Sequence, residues 1–542
     1  MASQQRLHRM TALDLDVRQM LSLSSLTWSR GVLVVCVLLV VFLLFQAHIA
    51  TRRPKNFPPG PRGIPFVGNL ASIPLVKSYV TFAEWTKQYG PILGLKAGPL
   101  NLVVLQDPAD IHELYDRRGP TYAGRPYNYI ALNHIFDPEV GQILLFQRND
   151  RLLKRWKRPA RWFLSQQGID GLGPIIDAMS ARCVKALVDR PGDFVEHLRV
   201  WALSTPLVAL SGQADVSAEL MRTYFYRQTL LTGLLEPGKT PPVDFIAPLR
   251  WVPERWAKWK RDARFVREHQ AGFYGEIVAR AKVARDRRRG GGAGEYVPVM
   301  ERLMDEGMPE TEVKWLAGGL LDAAFDTSSA AVMNFIVAMA GHPEVLARAR
   351  DELEVACEGR VPGVEDVAKL PYLKACMMEM LRWRPATPLG LPHVTETDDV
   401  YKGYVIPQGT NVVVNAYGLL HDPTVHRDPD KFDPTRYLSA DAQTDERLRS
   451  TWVFGAGRRK CLGEQYTMQA LLTVVAKAVW ALEMALPPGT DLSVEGGFDG
   501  GLMMKPREGT LVEMRVREGR GKGAEEDCVR GEGELRRMLG EW

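Results

Sequence analysis

One cysteine stands in a loop of unusual make-up, FGAGRRKCLGEQ, from Phe454 to Gln465. A thiolate is a strong, soft ligand for iron, copper or zinc. The six cysteines, at 36, 183, 357, 376, 461 and 528, include no Cys-x-x-Cys pair, which excludes a disulfide framework and a protein-only zinc site. A second candidate for chemistry is Asp326-Thr327 in the apolar stretch LLDAAFDTSSAA. An acid beside a hydroxyl can pass protons, although a helical threonine also bonds its own i−4 carbonyl. Glu379 and Arg382 are spaced to share a helix face. The same spacing recurs at Glu446/Arg449 and Glu534/Arg537, so it is informative only in context.

Cys461 has no histidine or cysteine close by to complete a tetrahedral site. A haem needs only one axial ligand from the protein, since the porphyrin supplies four. Gly455, Gly457 and Gly463 allow a tight loop and close approach to a flat macrocycle. A helix expected from near Leu462 would stabilise negative charge on the sulfur. Arg459 can pair with a carboxylate. The competing reading is an inert, buried thiol.

The pattern Phe454-x-x-Gly457-x-Arg459-x-Cys461-x-Gly463 resembles the haem-binding signature of the cytochrome P-450 superfamily. Glu379-Met-Leu-Arg382 resembles the Glu-x-x-Arg of that family, and FDPTRY supplies the Pro-x-Arg element in which Arg436 joins the pair. The resemblance implies a cytochrome P-450 fold, mainly α with small β-sheets, over about residues 57–517. It implies haem b (iron protoporphyrin IX) with Cys461 as thiolate ligand and a Glu379–Arg382–Arg436 structural network behind it. Phe454, Gly463, Arg459 and His393 would contact the haem, His393 having a core histidine as its alternative. Asp326 and Thr327 would handle protons on the oxygen side. Two departures stand out. Ala324 takes a place where glycine is usual. In RNDRLLKRWKRPARWF the usual Trp-x-x-x-Arg is out of register: Ala160 falls at the arginine place counted from Trp156, Arg161 lies one further on, and Leu152 competes for the tryptophan place.

The elements that must position these residues follow a plain order. Residues 31–50, GVLVVCVLLVVFLLFQAHIA, carry no Lys, Arg, Asp or Glu. At about 1.5 Å per residue they reach roughly 30 Å, a bilayer core, and they are expected to form a transmembrane anchor after an N-terminal segment 1–30. Arg52, Arg53, Lys55 and Arg62 follow closely, placing the bulk of the chain in the cytosol. Residues 51–65 read as a Pro/Gly-rich hinge, 66–517 as the catalytic domain and 518–542 as a disordered, charged tail. ILGLKAG, NLVVLQ and YKGYVIPQGTNVVVN read as strands, and residues 150–350 as mostly helical. Residues 315–339 are long and apolar enough for a second span, but Asp322 and Asp326 would be costly in lipid, so a protein-buried helix with functional acids is expected.

A net charge of +5 over 542 residues gives no case for nucleic acid. By resemblance the chain is an endoplasmic-reticulum monooxygenase of fungal type. It would take electrons from NADPH-cytochrome P-450 reductase and insert oxygen from O2 into a lipophilic small molecule, in secondary metabolism or detoxification. The substrate-pocket segments would be 122–146, 323–327, 387–391 and 501–504. The basic run 148–163 would dock the reductase, and residues 241–253 would rest on the bilayer. A haem-thiolate isomerase or dehydratase, or a non-enzymatic membrane haem protein, would share the haem but have no need of Asp326-Thr327.

Overall fold

A computed structural model describes residues 33–540 except 40, 43–44, 137–142, 149, 216, 237, 245, 291–293 and 440–447. The segment 1–30 and part of the 122–146 stretch therefore lie outside the described residues. Within 31–50, residues 33–39, 41–42 and 45–50 are helical, and Leu33, Val34, Val35, Leu38 and Phe45 are exposed.

Strands β1 (Ile92–Ala97) and β2 (Leu100–Leu105) form a hairpin. Its apolar residues Leu93, Leu95, Val103, Val104 and Leu105 are fully buried, as β-branched and leucine-rich runs predict. Helix α1 (Arg151–Phe163) starts at Asp150, whose carboxylate accepts from the Leu153 amide at 2.9 Å. Helices α2 (Gly173–Asp189), α3 (Phe194–Ser211), α4 (Ala218–Leu235) and α5 (Lys258–Arg289) follow.

The central helix α6 (Glu310–Gly341) has Glu310 and Glu312 in its first turn, where acids suit the helix dipole, and stops before Pro343. It packs on α3, α4's partner α5, α7 (Pro371–Trp383) and α8 (Glu464–Ala481). Of the described helices, α6 alone is long and apolar enough to cross a membrane. Protein buries it nearly all round, from Val313 to Ala340. That agrees with the expectation of a core helix rather than a second span.

Strands β3 (His393–Val394) and β4 (Asn411–Val414) complete a sheet of order β1-β2-β4-β3, with β2 and β4 parallel. Strands β5 (Phe498–Gly500) and β6 (Met504–Pro506) pair near the end of the domain.

The expectation of a disordered tail is corrected. Residues Arg520–Leu539 form a helix, α9, lying along α2 and touching α8. Ala524, Asp527, Cys528, Gly531, Leu535 and Met538 are buried at helical spacing, a thin stripe that the surrounding glycines and charges obscure in the sequence. The Lys477 ammonium, 1% exposed, bonds Asp527 at 2.6 Å and Asp177 at 3.1 Å, tying α8, α9 and α2 together. A Cβ on Gly531 would lie 2.9 Å from the Cα of Ala178, so glycine permits this close crossing.

Candidate active site

The loop before α8 is built by its glycines. Gly455 and Gly457 adopt φ of 74° and 64°, the left-handed region. A Cβ on Gly457 would overlap the Tyr115 carbonyl oxygen. The Cys461 amide donates to the Phe454 carbonyl at 2.8 Å, closing the loop. Gly463 is the N-cap of α8, so the helix starts at Glu464, two residues after the expected Leu462.

Cys461 is enclosed by the surrounding chain but open to a cavity of about 290 Å³, the only described cysteine to line it. Burial pushes its thiol up to about 11, against the Gly463 amide, which favours the thiolate. Apolar side chains supply most of the wall, among them Leu145, Leu210, Leu320, Leu389 and Leu391, with Phe454 beside the loop.

Four cations line the cavity: Arg125, Lys157, Arg459 and Lys460, the last paired with Glu464 at 2.6 Å. None of the other three makes an ion pair with a carboxylate among the described residues. Arg125 donates to the Leu145, Leu391 and Pro392 carbonyls at 2.9, 3.0 and 2.7 Å. Arg459 donates to the Ala123 and Gln147 carbonyls at 2.9 and 2.7 Å. Lys157 donates to the Arg458 carbonyl. Burial, then mutual repulsion, lowers Arg125 to about 9 and Lys157 to about 8. Burial lowers Arg459 to about 10, with Asp150 and Glu396 opposing from a distance. Three clustered cations without a paired anion, an apolar slot and a cavity-facing thiol fit a flat, apolar, dicarboxylate macrocycle bound through iron.

The helix α1 settles its own register. Trp156 is turned away from the cavity and donates Nε1–H to Glu312 at 3.0 Å. Leu152 is only partly buried, and Arg161 is exposed. Lys157 supplies the cavity cation, with Leu153 one turn earlier. Sequence reasoning missed both Lys157 and Arg125. A helical-wheel reading of buried Leu153, Trp156 and Ala160 was the available signal for the first.

His393 lines the cavity, stacks on Tyr115 with ring centroids 4.2 Å apart, and donates Nδ1–H to the Tyr122 carbonyl at 2.8 Å. Burial, then the charge of Arg125, holds it well below the usual histidine range. In that neutral form Nε2 is an acceptor, so only an imidazolium could donate to a carboxylate.

On α6 the two expected catalytic residues part company. Thr327 lines the cavity, and its hydroxyl donates to the Ala323 carbonyl at 2.9 Å. Asp326 does not line it. Its carboxylate accepts from Gln228 at 2.6 Å and Thr232 at 3.2 Å, both on α4. Burial, reinforced by nearby Asp322, raises Asp326 to about 6. Asp322 has a structural role instead of the functional one expected. It accepts from Tyr224 (2.9 Å), Tyr274 (2.6 Å), Gln270 (3.1 Å) and Arg227 (2.8 Å), binding α4 and α5 to α6. Ala324 does face the cavity. Thr387, Leu389 and Leu391 line it as well, whereas 501–504 does not.

Behind the cavity, Arg382 bonds Glu379 through two nitrogens at 2.7 and 2.8 Å, and Arg436 approaches the same carboxylate at 3.4 Å. Glu379 and Arg382 are fully buried, so the charges compensate one another.

A model of the cytochrome P450 family matches residues 58–512. The chain belongs to the cytochrome P450 family. Its similar relatives are fungal. The cytochrome P450 monooxygenase yanC of Aspergillus niger is 30% identical over 497 residues, covering 88% of this chain and 92% of the relative. The cytochrome P450 monooxygenase macC of Penicillium terrestre is 30% identical over 494 residues, 86% and 92%. The cytochrome P450 monooxygenase grgG of a Penicillium species is 31% identical over 506 residues, 87% and 90%. This P450 is accordingly an oxidoreductase of the monooxygenase class, which uses haem, O2, a redox partner and a small-molecule substrate. The isomerase and non-enzymatic readings fall away.

Proposed function

We propose that this chain is a membrane-anchored haem-thiolate monooxygenase. It takes NADPH electrons through a cytochrome P-450 reductase and oxygenates a lipophilic small molecule in fungal secondary metabolism or detoxification. The observation that carries the reading is the union of Cys461 with three cations that have no carboxylate partner among the described residues, around one apolar cavity.

Cys461 is the iron ligand, and the Gly463 amide stabilises its charge. Arg125, Lys157 and Arg459 hold the two carboxylates of the macrocycle. The bound haem supplies the redox chemistry, activating O2 at an iron made electron-rich by the thiolate. Thr327 holds a proton at Oγ1 on the oxygen side, and the leucine-rich walls exclude water and orient an apolar substrate. Asp326, raised to about 6 and held outside the cavity by Gln228 and Thr232, would take a proton from solvent and hand it to Thr327 on leaving those two donors. The Glu379–Arg382–Arg436 network and the Phe454 carbonyl keep the thiolate loop in place.

Exposed Arg151, Lys154, Arg155, Arg158 and Arg161 on α1 form the basic face that receives an acidic reductase. Residues 31–50 anchor the chain in the endoplasmic-reticulum membrane with the domain in the cytosol. Trp251 and Trp256, 80% and 70% exposed, suit the membrane interface.

The test is co-expression with a reductase, the reduced carbon monoxide spectrum, and mass spectrometry of lipophilic extracts for oxygen gained in an NADPH-dependent manner. A Cys461→Ser variant should lose the thiolate-type spectrum. Retention of that spectrum, or no oxygenated product from the intact pair, would overturn the reading.

A further inference from the structure

Among the hydroxyls that line the haem cavity, Thr467 lies nearest to Cys461 in the chain. Tyr115 donates to the Val412 carbonyl at 3.0 Å and Thr327 to the Ala323 carbonyl at 2.9 Å. The Thr467 hydroxyl makes no hydrogen bond among the described residues. On the same helix α8, Thr473 bonds its own i−4 carbonyl at 2.8 Å. The i−4 carbonyl of Thr467 belongs to Gly463 and accepts the Thr467 amide instead, at 2.8 Å. The hydroxyl therefore keeps an unused donor at the cavity wall.

Its direction follows from its place on the helix. Helical side chains lean toward the N-terminus, so a residue at i+4 lies over residue i. Thr467 thus leans over Gly463, the N-cap of α8. The side-chain atoms nearest to a Cβ built on Gly463 would be Thr467 Oγ1 at 3.8 Å and Cys461 Sγ at 3.9 Å. Gly463 has φ of −90°, which any residue adopts, and at those distances a Cβ would clash with neither atom. The missing side chain leaves open the gap between thiol and hydroxyl. The Gly463 amide already bonds the sulfur. The start of α8 therefore presents two donors, a backbone N–H and a side-chain O–H, to one sulfur.

We propose that Thr467 is a positioning residue that acts through Cys461: its Oγ1–H is held toward the sulfur and, in the haem-loaded protein, draws electron density from the thiolate and makes the iron easier to reduce. Outer groups that hydrogen-bond a metal's ligand tune its potential in this way. The apolar wall keeps the local dielectric low, which strengthens the pull of a dipole on a nearby charge. The proposal rests on the reading of Cys461 as the iron ligand.

Three variants separate the hydroxyl from the methyl. Thr467→Val keeps the shape and removes the donor, Thr467→Ser keeps the donor and removes the methyl, and Thr467→Ala removes both. Each is purified with haem and titrated potentiometrically without substrate. The C–O stretch of the reduced carbon monoxide complex is read by infrared spectroscopy. Thr467→Val and Thr467→Ala should shift the reduction equilibrium toward the oxidised form by about threefold to tenfold, tenfold being about 59 mV for one electron. Both should also lower the C–O stretch, because a more donating sulfur pushes more density onto the carbon monoxide. Thr467→Ser should match the wild type in both measurements. The opposite pairing, valine like the wild type and serine like alanine, would assign the effect to packing and overturn the proposal. Equal shifts in all three, or no shift in any, would overturn it too. A wild-type protein without the thiolate-type spectrum would overturn the reading of Cys461 itself, and the proposal with it.

Discussion

Asp326→Asn is the most discriminating single substitution. Burial raises this carboxyl from 3.8 to about 6 in the folded chain. A little over two units, at about 1.4 kcal/mol each, caps the penalty of carrying the charge at about 3 kcal/mol. Asp326 keeps partial accessibility, so an effect of about 1–2 kcal/mol is expected. The sign follows from proton linkage. Below 3.8 both folded and unfolded chains hold the proton, and no penalty exists. Between 3.8 and 6 the folded chain binds the proton more tightly, so stability falls as pH rises. Above 6 the penalty is complete. Asparagine has nearly the same shape, and its side-chain oxygen still accepts from Gln228 and Thr232. The variant should therefore melt about 1–2 °C above the wild type at pH 8 and with it at pH 4. Differential scanning fluorimetry of the haem-loaded proteins, at fixed scan rate and ionic strength, reads this directly. The variant should also turn over more slowly, having lost its exchangeable proton. An equal offset at both pH values, or destabilisation at pH 8, would refute the account of Asp326 as a strained, proton-holding acid.

Arg125→Leu should lower haem content after purification and speed haem loss to apomyoglobin, with Lys157→Met having a smaller effect, because Arg125 is the more enclosed cation; unchanged loss rates would remove both from the cradle. Glu379→Gln strands two arginines without their shared carboxylate and should cost about 3–5 kcal/mol, read as a lower denaturation midpoint and poor haem incorporation. Deletion of residues 518–542 removes Asp527 from Lys477 and should lower the melting temperature by several degrees while leaving the thiolate-type spectrum of the surviving folded protein intact; an unchanged melting curve would make α9 ornamental. Protease added to intact microsomes should digest the bulk of the chain, and full protection would reverse the proposed orientation.

The parts legible in the sequence are those whose physics is local. Gly457 could be read because its backbone conformation and the Tyr115 carbonyl leave room for no other residue. The hairpin β1–β2 could be read because leucine, valine and isoleucine crowd short runs between glycines and prolines. Glu379 and Arg382 share a helix turn. The haem-edge cations were not legible in the same way. Arg125 and Lys157 come from separate segments, and only tertiary packing brings them beside Arg459. The acids of α6 were visible, but their directions were not: which face Asp326 or Asp322 presents depends on α4 and α5, whose register against α6 no local pattern sets. The helix α9 was hidden because its buried stripe is narrow and includes Asp527, whose burial makes sense only with Lys477 opposite.

That last pairing has a consequence for synthesis. Lys477 is translated 50 residues before Asp527, and a chain begins to fold from its N-terminus while it is being made. Until the later segment emerges, the ammonium on α8 has only Asp177 to answer it. This corner of the molecule is therefore among the last to close, and synthesis halted between the two residues would leave a buried cation with half of its counter-charge.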